Sequence, residues 1–215
     1  MLRIDCRKQY DLRDYKLLFP SRLGVTIIEL GRTIVQAVVI KEEIPPTAKN
    51  TGQFIINSPF THQTQFFVDR VLRQLLPLST LQITPNKLAY KITLTITILT
   101  DDGCAASAAV TAGSAALLSS TLQVQFVPIC VFFVPSAESS ASASADPSIA
   151  EGEPTLMIAY DKSGSIFMMI GDATNCEESA IQGMGASALS VQMEDAVQSE
   201  IEKRRRERRA RYLIK

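Results

Sequence analysis

Histidine is almost missing from this chain: among 215 residues only His62 carries an imidazole. That excludes Cys/His zinc clusters. It also makes any Ser–His–Asp triad depend on one residue between Thr61 and Gln63, read here as a surface or loop position. Cysteine is sparse as well. Cys6, Cys104, Cys130 and Cys176 lie far apart with no C-x-x-C pair, and read as buried or idle thiols in a reducing compartment. No apolar run reaches the roughly 18 residues that span a bilayer. The opening "MLRIDCRKQYDLRDYK" is too charged for a signal peptide, so no membrane partner is expected.

Apolar residues make up 46% of the chain, a usual share for a globular protein. The formal net charge is zero, but it is unevenly spread. Lys203 to Lys215 holds eight Lys or Arg and a single acid, Glu207, so that end carries +7 and residues 1–202 carry −7. An acidic body with a basic end predicts a local contact with an anion, not a wholly basic binding surface.

The pattern of elements is β-rich. "VTIIELGRTIVQAVVI", residues 25–40, reads as two strands around a tight turn at Gly31-Arg32, and "GQFIINSPF" as a short strand ended by Pro59. In "TQFFVDRVLRQLLPL", Phe66, Phe67, Val71 and Leu75 fall close to helical spacing, with Arg70 and Arg73 as neighbours on the other face and Pro77 as the stop. "KLAYKITLTITIL" alternates strictly. A helix of small residues follows the turn Asp101–Gly103, and "VQFVPICVFFV" is apolar on both faces, as in a fully buried strand. Residues 136–152 are Ser/Ala-rich and read as a flexible loop. "TLMIAY", "DKSG" and "SIFMMI" form a hairpin. Thr174 and Glu177 have capping-box spacing before a long last helix, with Ile181, Met184, Ala188 and Val191 on one side. The order β-β-β-α-β-α-β-β-β-α, with no internal repeat and no sharp boundary, predicts one α+β domain over 1–215.

"DDGCAASAAVTAGSAALLSS", Asp101 to Ser120, has the layout of a phosphate site. A helix N-terminus offers free N–H groups and a partial positive charge. Yet the loop contains Cys104, Ala105 and Ala106 and no cation. Asp101 and Asp102 read either as a carboxylate pair or as a strand-ending turn. Cys104 reads either as an activated thiolate or as a plain small residue.

Several blocks, in order, resemble the RNase PH-like fold (ribosomal protein S5 domain 2-like), with mixed sheets and helices packed on them. They resemble in particular the ring subunits of the eukaryotic RNA exosome. In "RIDCRKQYDLRDYK", Arg3, Asp5 and Arg7 are similar to the family's R-x-D-G-R opening, with Cys6 in place of glycine and Arg13 at family spacing. "VTIIELGRT" resembles the first hairpin, with Glu29, Gly31 and Thr33 at the familiar places. "DDG", "VPICVFFV" and "ADPS" resemble the turn, strand and turn that follow.

The resemblance explains what the loop lacks. Phosphorolytic members carry Ser/Thr-Arg-Thr there, and the arginine's fork holds inorganic phosphate. Here the match is Cys104-Ala105-Ala106-Ser107, leaving backbone N–H groups and Ser107. Active members also carry a carboxylate cluster after the Asp-Pro position; Asp146 is present, with Glu151 and Glu153 nearby in the Ser/Ala-rich stretch.

The resemblance therefore implies a non-catalytic ring subunit, with no catalytic residue, metal or cofactor. Its implied partners are other RNase PH-like ring subunits, cap subunits with RNA-binding domains, a hydrolytic RNase II-like subunit and single-stranded RNA. It also implies a place in the nucleus, nucleolus and cytoplasm. The expected RNA contacts are Arg70, Arg73, Arg204, Arg205 and Arg208. Each has a plainer reading. Arg70 and Arg73 could form a solvated helix face, and the basic end, 203–215, could be an RNA contact, an import signal or a helix end complementing its own dipole. Two alternatives to the structural subunit remain: an active phosphorolytic 3′–5′ exoribonuclease, and an unrelated α+β anion-binding domain.

Overall fold

The computed structural model describes residues 12–20, 22–44, 52–76, 89–120, 122–135, 143–145, 147, 154–171 and 186–213. Two sheets sandwich a helix made almost wholly of small residues.

The first sheet contains β1 (Tyr15–Leu18), β2 (Val25–Leu30), β3 (Thr33–Ile44), β4 (Gln53–Asn57) and β5 (Ala89–Thr100), in the order β1-β2-β3-β5-β4. Only β4 against β5 is parallel, and α1 (His62–Leu75) makes the crossover between them. The alternation of β5 has the effect the sequence predicts: Ile92, Leu94 and Ile96 are buried while the intervening threonines face outward. The second sheet contains β6 (Ile129–Pro135), β7 (Ala143–Ala145), β8 (Leu156–Tyr160) and β9 (Ile166–Gly171), in the order β7-β6-β8-β9.

Between the sheets lies α2 (Ala105–Ser119), packed on β2, β3 and β5 on one side and β6 on the other, with α1 and α3 (Ala186–Leu213) against it. All but one of its residues are buried, the exception being Leu118. Its alanines and serines let both sheets approach. A Cβ added at Gly113 would stand 3.1 Å from Leu72 and 3.2 Å from Leu94. The polar members have partners: Thr111 donates to the carbonyls of Ser107 and Pro128, and Thr26 on β2 donates to Ala112 O at 2.7 Å. Among the described residues no helix is long and apolar enough to cross a membrane.

Several sequence expectations are adjusted. Strands β1 and β7 were not expected, and Ala143–Ala145 pair with β6 inside the stretch read as a Ser/Ala-rich loop. Phe66 is not on the buried face of α1. That face is Phe67, Val68, Val71, Leu72 and Leu75, and Phe66, about 100° away round the helix, is 52% exposed. His62 is the first residue of α1, exposed, with φ of 52°. The inner face of α3 is Ser190, Met193, Val197 and Ile201, three or four residues apart, which leaves Val191 exposed. The positions Thr174, Glu177, Ile181 and Met184 lie outside the described residues.

Candidate functional site at the start of the central helix

The cation that the Asp101–Ser107 loop lacks is supplied from far away in the sequence. Arg13, just before β1 and only 8% exposed, reaches the turn that opens α2. Its guanidinium donates to the carbonyls of Asp102 (3.1 Å), Gly103 (2.9 Å) and Pro147 (3.4 Å). The Asp102 carboxylate lies 4.0 Å from the same guanidinium, at ion-pair range.

The β2–β3 turn makes room for this arrangement. Gly31 has φ of +59°, and a Cβ there would come within 2.7 Å of the Arg13 stem, so glycine serves both the turn and the arginine. Two residues on, Thr33 is fully buried and braces the same loop. Its hydroxyl donates to Gly103 O at 2.7 Å and accepts from Asp102 N–H at 2.9 Å. Asp101 accepts from Gly103 N–H at 2.9 Å, so the two acidic side chains close and flank a turn.

Cys104 is the N-cap of α2, held at φ of 56°, and its thiol donates to Pro147 O at 3.4 Å. Ala105, Ala106 and Ser107 are all buried. The Ser107 hydroxyl, expected to remain available to an anion, instead donates to the Cys130 carbonyl and shares a 3.0 Å hydrogen bond with the Tyr15 hydroxyl. Burial pushes the Cys130 thiol far above its ordinary value, so that sulfur stays protonated. Arginine, threonine and serine are thus all at the helix start, but their described partners are protein groups. Arg3, Asp5, Cys6, Arg7, Asp146, Glu151, Glu153 and Cys176 lie outside the described residues.

The sequence-predicted RNA contacts fall in two places. On α1, Arg73 donates to Phe54 O at 2.8 Å and lies over the Phe54 ring, so it ties the helix to β4. Arg73 also partly offsets the burial of Asp69, whose carboxyl is nonetheless raised above the usual carboxylate value. Arg70 is exposed, lies 5.6 Å from the Phe66 ring centroid and, among the described residues, has no carboxylate partner.

On α3, Arg204 is held by protein groups. Its guanidinium binds Glu200 at 2.6 Å and the carbonyls of Phe19 and Pro20, locking the helix to the end of β1 with its side chain 13% exposed. Arg205 is exposed, and Arg208 lies three residues further along the same helix, its side chain outside the described residues. Sequence reasoning missed the anchoring roles of Arg13, Arg73 and Arg204. Only the preceding Glu200, four residues before Arg204, was a local hint.

The comparisons agree with this architecture. Residues 13–123, just over half of the chain, match the 3′ exoribonuclease family, domain 1 (RNase PH). The chain belongs to that family. No curated protein sequence matches it. Among solved structures, it is similar to the archaeal exosome core, at 21% identity over 94% of this chain and 91% of that one, with a TM-score of 0.69. It is also similar to the Archaeoglobus fulgidus exosome with RNA bound to the active site, at 20% identity over 93% of this chain and 92% of that one, TM-score 0.66. Rrp46 of rice (Oryza sativa) matches at 14% identity over 93% of this chain and 100% of that one, TM-score 0.64. At these identities the structural likeness is one of fold, and the fold is RNase PH-like.

Proposed function

We propose that this chain is a non-catalytic ring subunit of an RNA exosome, helping form the channel that threads single-stranded RNA toward 3′–5′ degradation. One observation carries the reading: the groups at the start of α2 are turned onto the protein. Arg13 and Thr33 bind the carbonyls of the turn, Ser107 binds Cys130 O, and Ala105, where phosphorolytic members of the family have arginine, is buried. A helix N-terminus alone contributes only about 0.3–1 kcal/mol to holding a surface anion, weak for a phosphate that must attack.

In this reading the chain offers surfaces to neighbouring RNase PH-like subunits, beneath cap subunits with RNA-binding domains and beside an RNase II-like hydrolase, in nucleus, nucleolus and cytoplasm. Arg205 and Arg208 on the basic end of α3 touch the RNA backbone. Such contacts position RNA without reading its sequence. Within the exosome ring, the blocks "YDLRDYK", "IIELGRT" and "VPICVFF" are most like the larger PM/Scl autoantigen subunit.

The test is to give the purified chain, alone and with its co-purifying partners, single-stranded RNA, Mg²⁺ and inorganic phosphate. The expected result is no nucleoside diphosphate from the chain alone, and none in the complex that depends on this chain. Phosphate-dependent release abolished by Asp146→Asn would overturn the proposal in favour of an active phosphorolytic enzyme. Purification without any exosome ring subunit would overturn it in favour of an unrelated role.

A further inference from the structure

Strand β9 ends the second sheet, so among the described residues one of its edges has no partner strand. Its sequence, Ile-Phe-Met-Met-Ile-Gly, contains no charge and no proline, the features that keep a free edge from pairing with another chain. Alongside it runs a cleft of about 320 Å³, lined by Phe66, Arg70 and Gln74 of α1 and by residues 167–170 of β9. Successive strand residues point to opposite faces. A cleft lined by four in a row therefore follows the strand edge. Part of its apolar lining is exposed: Phe66 is 52% and Met169 48% accessible, with the neighbouring Ile166 at 45%, while Phe167, Met168 and Ile170 are half-buried. Its one cation, Arg70, lies over the Phe66 ring and, among the described residues, forms no ion pair, the adjacent Asp69 being influenced by Arg73 instead.

We propose that this cleft receives an extended acidic segment of a different polypeptide, which adds a strand to β9 and pairs a carboxylate with Arg70. The backbone edge that no described strand pairs supplies main-chain hydrogen bonds, the usual basis of strand addition, and the apolar walls select alternate side chains. Arg70, with no carboxylate partner among the described residues, sets the charge of the partner. RNA fits less well: a polyanion would find a single cation, Arg70, in the cleft lining.

The proposal goes beyond the ring reading and uses it only to choose the complex. Amide hydrogen exchange of Ile166–Ile170 is compared between the isolated chain and the complex with its co-purifying proteins. The expected result is exchange slowed about tenfold or more in the complex. A photo-cross-linker replacing Met169 is expected to capture a partner peptide containing Asp or Glu. Arg70→Glu is expected to weaken retention of that partner about tenfold or more, and Arg70→Lys to keep most of it.

If Arg70→Glu fails to fold, the wild-type exchange comparison and the cross-link still decide. Unchanged β9 exchange, a chain that co-purifies with no protein, or protection that appears only with added single-stranded RNA would each overturn the proposal. Protection that grows with the concentration of the isolated chain would assign the edge to a second copy and also overturn it. Loss of exosome subunits from the purification sinks the ring reading, while the cleft is judged on β9 alone.

Discussion

Arg13 holds Gly103: the guanidinium donates to that carbonyl at 2.9 Å across 90 positions of sequence, beside the Thr33 hydroxyl at 2.7 Å on the same oxygen. Two donors from different elements thus converge on the peptide that starts α2. Arg13→Ala would strand the Asp102 carbonyl in a partly buried setting, take a donor from Pro147 O and leave Gly103 O with Thr33 alone. The expected cost is about 3 kcal/mol, read from urea unfolding. Arg13→Lys should recover only part of it, because an ammonium lacks the planar fork that reaches several carbonyls at once. A wild-type midpoint for Arg13→Ala would remove the bracing role.

Ala105→Arg tests the proposal that this chain lacks a phosphate site at the start of α2. Ala105 is 5% exposed, so a guanidinium there has to displace packed neighbours. Destabilisation of about 1–3 kcal/mol is expected, as for other small-to-large changes in packed interiors. No phosphate-dependent shortening of RNA should appear. Calorimetric phosphate binding, followed by an assay for nucleoside diphosphate, checks both halves.

The basic end of α3 gives a salt-dependence prediction. If Arg205 and Arg208 each neutralise one phosphate, changing both to Ala should make the log–log salt slope of single-strand binding by the assembled complex shallower by about 1.4, at roughly 0.7 per contact. The loss should be alike for all RNA sequences. Arg204→Ala should behave differently. It should lower stability, since it breaks contacts to Glu200, Phe19 and Pro20, with little effect on the slope. An unchanged slope in the Arg205/Arg208 variant with an intact complex would leave that end as a solvated helix.

Asp69 supplies a pH signature. Burial raises its carboxyl above the ordinary value of 3.8, with Arg73 offsetting part of the effect. Between the ordinary and the raised value the folded chain binds more protons than the unfolded one. Stability from this group is therefore present at lower pH and is lost as pH rises through the raised value. Asp69→Asn cannot ionise. The difference in unfolding free energy, variant minus wild type, should thus grow in favour of the variant from just above pH 4 upward and then level off. A flat difference across that range would show that the carboxyl is not perturbed.

Much of the fold is decided by local pattern. The period-2 alternation of β5, the Gly31 turn between β2 and β3, the doubly apolar β6 and the small-residue helix α2 each reflect a rule that acts over a few residues. Two of the family blocks, "VTIIELGRT" and "VPICVFFV", lie on those same segments. β7 had no such signal, because Ala-Ser-Ala has no side-chain alternation and becomes a strand only by pairing with β6. The phase of α1 also escaped a purely local reading. Two adjacent phenylalanines fit helical spacing equally well, and only packing on the sheets buries Phe67 and leaves Phe66 out.

The sequence by itself determined that the loop before α2 lacks an arginine and that positive charge collects after Lys203. It could not determine where each arginine points. Arg13, Arg73 and Arg204 are set by carbonyls that tertiary structure brings to them: the turn before α2, Phe54 on β4, and the end of β1. A guanidinium satisfies whichever acceptors surround it, and those acceptors come from segments distant in sequence. Composition thus assigned the charges, and the fold decided which of them hold the protein together and which, like Arg70 and Arg205, are left facing outward.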